Sequence, residues 1–269
     1  MKRIVWACIV LLLITPVTSA SAQTPVATPD PFALPVNLLV LRIREGNGYG
    51  YVRDQSGAPL YGNGYLVRDG EIATTVPPPF ADFYEDHEVH NLYDAYTIMV
   101  QDEEITEPSI SIAVQVRLAT VPDGDMAGRL VDASPAFFTH LSGAGDRFSQ
   151  DIIVMTDLPD HDEAITGFTG TDQYDGLVNG DAAFRMPFTR FIAQHGTIVA
   201  SIKVTGPDPA FNDAVARELL AAQLACIAAD QFCVPVPLPS NVPFEPGTPV
   251  TSPAALAPAP GPAIVRSRA

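Results

Sequence analysis

The chain has 269 residues, 15 basic against 31 acidic, and a formal net charge of −16. So acidic a balance argues against a nucleic-acid partner and against an anionic membrane surface, because like charges repel at both. Its plain physical meaning is solubility.

Lys2 and Arg3 precede an apolar run from Ile4 to Ile14, and Ala20-Ser21-Ala22 offers a small-residue cleavage site. This is the pattern of a secretory signal peptide over 1–22. The run is short for a membrane span. An uncleaved N-terminal anchor is the alternative. Cleavage removes both basic residues and leaves a still more acidic chain. No second long apolar run follows, so no integral membrane span is expected after cleavage. Residues 23–35 are rich in Pro and Thr and read as a disordered linker.

The folded part is expected over 36–233. Leu38–Arg44 reads as a strand. Gly48-Tyr-Gly-Tyr-Val-Arg-Asp54 and Gly62-Asn-Gly-Tyr-Leu-Val-Arg-Asp69 read as paired β segments. Their glycines are turn chemistry, because no strand–Gly-loop–helix context surrounds them. Residues 81–96, acidic and aromatic, read as a helix after the break at Pro77-Pro78-Pro79. Ile110, Ile112, Val114, Val116 and Leu118 alternate with smaller or polar residues, the clearest strand in the chain. A helical pattern follows through Met126, Leu130, Phe137 and Leu141, with Pro135 expected to kink or split it. Ile152–Met155 reads as a short buried strand, and 157–181 as a long acidic surface loop.

Ala182, Phe184, Met186 and Phe188 alternate, as do Ile198, Ala200, Ile202 and Val204, about a turn at His195-Gly196. That describes a hairpin. Pro187 cannot donate to a ladder, so its strand is expected at an edge or a bulge. Asp208 is a good N-cap and Pro209 a preferred first helical residue. Phe211, Val215, Leu219, Ala222 and Cys226 then share one helical face. The phrases ending Val121-Pro-Asp123 and Gly206-Pro-Asp208 each lead into a helix, from a weak duplication or from the same capping chemistry used twice. From Val234 to Ala269 the chain is a Pro/Ala-rich tail expected to be disordered.

Candidate chemistry is sparse. Cys226 and Cys233 remain after loss of Cys8, and two thiols in an exported chain form one disulfide. No Cys-x-x-Cys supports a redox pair instead. His87, His90 and Asp94 would share a face of a helix over 81–96, and two imidazoles with a carboxylate can bind zinc. The His-Glu-x-x-His spacing is absent, so a solvated polar face is the competing reading. Asp157, Asp160, Asp162, Glu163, Asp172 and Asp175 supply oxygen ligands that suit calcium, without the spacing of an EF-hand. Seven of the eight tyrosines lie between Tyr49 and Tyr96. Of these Tyr49, Tyr51, Tyr65, Tyr93 and Tyr96 are candidates to line a ligand groove, against half-buried sheet packing. No Gly-x-Ser-x-Gly elbow and no Ser-x-x-Lys motif appears, and no cofactor is implied.

The leader, the Pro-rich linker, the alternating strand 110–118 and the hairpin–Asp208-Pro209–helix–Cys226 ending together resemble a group of exported bacterial α+β domains. These include extracytoplasmic sensor domains of the PknH type and small lipoproteins of the Mog1/PsbP-like shape. The resemblance spans about 110–233 and rests on pattern. Those sensor domains usually carry two disulfides, whereas this chain can make one. The resemblance implies a fold and an extracytoplasmic, cell-surface or secreted location.

The expectation is one α+β domain, an antiparallel sheet packed against two or three helices. Its buried residues should include Ile112, Val114, Val116, Phe137, Ile153, Phe184, Ile202, Phe211, Val215 and Leu219. The leading function is a non-enzymatic binding or interaction module for a small-molecule or protein partner. The alternatives are a metal-dependent hydrolase using His87 and His90, and a surface structural protein tethered by its tail. Intact mass spectrometry of the exported chain should give a value two hydrogens below the reduced one. An unchanged mass after reduction would refute the disulfide.

Overall fold

A computed structural model describes residues 36–52, 65–68, 71–101, 111–143, 149–174 and 184–239. The expected signal peptide, linker and distal tail lie outside the described residues. In chain order the elements begin α1 (Val36–Leu39), β1 (Ile43–Arg44), β2 (Tyr49–Tyr51), β3 (Tyr65–Arg68), α2 (Ile72–Thr75), α3 (Pro78–Asp86), β4 (Asn91–Gln101) and β5 (Ser111–Thr120). There follow α4 (Gly124–Gly143), β6 (Gln150–Val154), β7 (Ile165–Tyr174), β8 (Phe184–His195), β9 (Ile198–Thr205), α5 (Pro209–Ala228) and β10 (Val236–Pro237).

The fold is α+β. Eight strands form an antiparallel sheet in the order β2-β4-β5-β9-β8-β7-β6, with β3 pairing β4 beside β2. Strands β1 and β10 form a separate parallel pair. One face of the sheet carries Tyr93, Ala95, Met99, Ile112, Val114, Val116, Ile202, Val204 and Phe191, covered by α5 and α1. The other carries Leu92, Ala119, Phe168, Phe188, Ile192 and Val199, covered by α4 and by Ala81 and Tyr84 of α3. A sheet buried on both faces needs apolar residues at both phases of the strand, which is why β4 and β9 read less cleanly than a half-exposed strand.

The hairpin and the helix after it form as their residues dictate. His195 pairs with Ile198 across Gly196-Thr197, and Gly196 takes φ +58°, which glycine adopts without a Cβ clash. The Asp208 carboxylate accepts from Ala210 N at 2.8 Å and Phe211 N at 3.3 Å, and Pro209 follows it. The buried stripe of α5 runs from Phe211, Val215 and Leu219 to Gln223 and Ile227. Ala222 and Cys226 lie at its half-buried margin. Cys226 and Cys233 are bonded, with Cα atoms 5.5 Å apart.

Several expectations are corrected. Helix α3 stops at Asp86 and the chain enters β4 at Asn91, so 81–96 is not one helix. Glu88 at φ 49° closes the helix: Val89 N donates to Tyr84 O and Glu88 N to Glu85 O, both at 3.0 Å. That is a Schellman ending with Glu where glycine is usual, so the stop carried no sequence signal. Segment 38–44 is not one strand, because the backbone at Leu39 and Leu41 bonds a side chain of α5 instead of a neighbouring strand. Residues 165–174, read as loop, are a strand whose glycines leave room for aromatic rings: a Cβ on Gly167 would lie 2.7 Å from the Phe191 ring. Strand β6 is an edge, not buried; Ile153 is 67% exposed and Val154 51%. Phe137 is half-buried, and the side chain of Phe184 lies outside the described residues. Helix α4 continues through Pro135 without splitting.

Pro187 sits inside the sheet, opposite Thr171 of β7, not at an edge. Gly206 N donates to its carbonyl at 3.2 Å. The return bond from Pro187 to Gly206 O is impossible without an N–H. Asn212 supplies it: its Nδ2 donates to Gly206 O and to Pro187 O, each at 2.9 Å. A Cβ on Gly206 would lie 2.7 Å from Asn212 Oδ1, so the approach requires glycine.

The two Pro-Asp–helix phrases are the same capping used twice. Asp123 Oδ1 accepts from Met126 N at 2.8 Å, as Asp208 does in α5. However, β5 and β9 pair antiparallel at the sheet centre, and α4 and α5 cover opposite faces. Two repeats related by a dyad normal to the sheet would place both helices on one face.

The fold runs past Cys233. Val236 N donates to Arg42 O at 3.0 Å, Asn47 Nδ2 to Leu238 O at 2.8 Å, and Leu238 is fully buried. The fully buried Gln223 anchors this arm: Leu41 N donates to its Oε1 and its Nε2 donates to Leu39 O, both at 2.7 Å. Gln223→Ala would leave two buried backbone groups unpaired, a loss of about 2–6 kcal/mol at 1–3 kcal/mol per group. Urea denaturation should show this; a change below about 1 kcal/mol would mean that water replaces the amide.

Candidate functional site

Among the described residues, polar side chains meet space in the following two places. The first is a cleft of about 320 Å³ on the α5 face of the sheet edge. Its floor is Ala95 and Thr97 of β4 and Val116 of β5, and its walls are Arg42, Arg44, Tyr51 and Pro235. The walls are held together by main-chain bonds. Tyr51 Oη donates to Ile43 O at 2.7 Å, and Arg44 Nε to Pro235 O at 3.2 Å. Arg42 is exposed, and its guanidinium has no hydrogen bond or ion pair among the described residues. The cleft therefore offers a guanidinium at the rim and an apolar floor, the arrangement that takes an organic anion.

The second lies under α4. Register puts Asp94, Arg117 and Ser201 in one row across the sheet, and Gln115, Lys203 and Arg190 in the next. Arg117 is ion-paired with Asp94 and also donates to Tyr84 Oη. Gln115 Nε2 donates to Asp94 at 3.0 Å, and its Oε1 accepts from Arg190 Nη2 at 2.7 Å. Lys203 Nζ is 2.6 Å from Asp172, whose carboxylate also accepts from Ser149 and Thr205. Burial lowers Lys203 to about 8 against the opposing pull of Asp172. Burial lowers Arg190 to about 10, helped by the charge of Arg117. A lysine of depressed pKa near a serine is a nucleophile-activating arrangement in principle. Here Ser149 lies 3.4 Å from Nζ and its own hydroxyl is committed to Asp172. The group reads as a structural network.

The residues singled out from sequence are dispersed. His87 caps α3, its Nδ1 2.7 Å from Phe83 O and its ring on Phe83. His90 is exposed in the turn before β4, and Asp94 is buried against Arg117 and Gln115. The helical face that would have joined the three does not exist. Among the acidic candidates, Asp157 pairs with Arg217, Glu163 accepts from Gly196 N, and Asp172 lies inside the sheet. Asp175 lies outside the described residues. Of the tyrosines, Tyr51 lines the cleft. Tyr49 and Tyr93 are buried on the same face, Tyr49 against Phe211. Tyr96 lies on the opposite face, and Tyr65 pairs with Asp94 through its backbone. Sequence reasoning missed Arg42, Arg44, Arg117, Arg190 and Lys203. The signal was present on β5 and β9, where Gln115, Arg117, Ser201 and Lys203 share one phase of the alternation.

No protein-family model matches the chain, and no curated protein is significantly similar to it. Among solved structures it is similar to the extracellular domain of PknH from Mycobacterium tuberculosis, at 12% identity and a TM-score of 0.36. The match covers 62% of this chain and 84% of that one. A likeness this distant decides neither function nor location.

Lys203 is one of two lysines, the other being Lys2, so its resonance is readily assigned. Its Cε shift should titrate near 8. A folded value below the unfolded 10.5 means that the folded state binds fewer protons between those limits. The Lys203 contribution to stability therefore rises with pH from about 8 to 10.5 and is flat outside that window. A midpoint near 10.5 would show that Asp172 fully offsets burial.

Proposed function

We propose that the chain is an extracytoplasmic, non-enzymatic binding module that takes a small organic anion in the cleft between the 41–44 arm and the sheet edge. One observation carries the reading: a cleft of about 320 Å³ with two arginines on its walls and an apolar floor, in a chain of net charge −16. Small-molecule sites of about 300–1,000 Å³ usually combine an apolar lining with a few fixed polar groups. Ala95, Thr97 and Val116 supply the lining, and Tyr51, Arg42 and Arg44 the polar groups. The extracytoplasmic location is supported by the leader-like N-terminus and by the Cys226–Cys233 disulfide, a bond that persists in oxidising compartments.

A panel of small mono- and dicarboxylates, screened by thermal shift against the mature chain, should include saturable stabilisers. Arg42→Gln should weaken the best of them about tenfold or more while leaving the unliganded melting temperature unchanged, because the Arg42 guanidinium is exposed and unpaired among the described residues. If no carboxylate stabilises the chain, or if Arg42→Gln binds as well as the parent, the reading fails.

A further inference from the structure

The network under α4 is unbalanced. Arg117 faces Asp94 and Lys203 faces Asp172, but Arg190 has no carboxylate within ion-pair distance among the described residues. Its residue is only 6% exposed. One guanidinium nitrogen, Nη2, bonds the neutral Gln115, and Nε has no partner. The plane lies over the Phe138 ring, 4.7 Å from its centroid. Among the described residues, three cations, Arg190 buried and Arg117 and Lys203 partly so, thus meet two carboxylates. Ring contact and a neutral amide only partly offset the cost of a buried charge, which in proteins is normally met by a counter-ion or by neutralisation. Neutralising an arginine is not a practical route: even lowered by burial to about 10, Arg190 is protonated at neutral pH.

Beside it is a cavity of about 30 Å³ between α4, α3 and the sheet. Arg117, Arg190, Ser134, Ser201 and Tyr84 contribute its polar lining. The remaining wall is apolar, with Leu130, Phe138, Ile192 and Val199. That volume is room for one atom-sized guest, a water molecule or a monatomic anion. Water would satisfy hydrogen bonds but would leave the net charge. An anion does both.

We infer that the cavity between Arg190, Arg117 and Ser201 is a structural site for a single halide-sized anion, chloride in an extracytoplasmic setting. It lies on the opposite face of the sheet from the 41–44 cleft and is independent of that cleft's ligand. The anion completes the charge balance of the α4 face and fixes the helix over the central strands.

The test is the melting temperature of the mature chain as chloride replaces methanesulfonate at constant ionic strength, because the larger anion does not fit. The expected result is a saturable rise with chloride and with bromide, and an anomalous bromide peak in the cavity of a bromide-soaked crystal. Arg190→Met, which keeps the stem and removes charge and donors, should abolish the rise. Arg42→Gln should keep it in full, which separates this site from the cleft. If Arg190→Met does not fold, Ser201→Ala serves. Losing one hydrogen bond to the anion should raise the half-saturating chloride concentration about tenfold. A flat chloride response in the parent chain, a cavity without a bromide peak, or an unchanged half-saturation in Ser201→Ala overturns the inference and leaves water as the occupant.

Discussion

The antiparallel join between β5 and β9 is the constraint on which the rest depends. The hairpins β4–β5 and β8–β9 form from segments close in sequence, but each alone would leave a bare edge and two uncovered faces. The pairing of Ala113–Thr120 with Thr205–Ile198 crosses roughly 80–90 residues and turns two hairpins into one sheet. It also fixes phase. A slip of one residue would exchange the faces, sending Val114 and Val116 under α4 and Arg117 and Gln115 into the apolar contact with α5. The register therefore decides in one step where the core lies and where the charged rows meet.

Once both faces are buried, backbone polarity has to be satisfied inside, and two side-chain amides of α5 do much of this. Asn212 replaces the N–H that Pro187 lacks, and Gln223 pairs the backbone at Leu39 and Leu41. Each amide offers both a donor and an acceptor, and each is fully buried. The helix is thus fastened to the sheet at its N-terminal end and to the first arm of the domain near its C-terminal end, where Cys226–Cys233 holds the chain that follows. That chain then covers the arm through Val236 and Leu238. The cleft walled by Arg42 and Arg44 exists because these two terminal segments meet over the edge of the sheet.

The α4 face follows a different logic. Its ion pairs lie within the sheet rather than on a surface, so each is costly to break: removing one partner of a buried pair costs about 3–5 kcal/mol. Arg117 and Lys203 are held in this way, while Arg190 rests on aromatic rings and a glutamine. The result is a rigid but electrically incomplete wall facing a small space. The cleft on the other face is open, with an exposed cation at its rim.

The sequence by itself determined the α+β class, the alternating strand expected over 110–118 and found at Ser111–Thr120, the hairpin about Gly196, the Asp208-Pro209 start of the last helix and the Cys226–Cys233 bond. Each depends on chemistry local to a few residues: alternation, positive φ, capping, or the proximity of two thiols. Tertiary structure decided the rest. The helix end at Asp86 is carried by Glu88 in a left-handed conformation, which no residue type announces. The strand 165–174 hides behind glycines that exist to admit Phe191 and Phe188. Pro187 could enter the sheet because Asn212, 25 residues away, supplies its missing bond. His87, His90 and Asp94 parted when their helix ended early, and the arginine sites came together only when β5 met β9 and the two ends of the domain met. Periodicity reports which way a side chain points within its own element. What lies on the other side is fixed only by the partner, and here polar residues pointing away from one core were pointing into another.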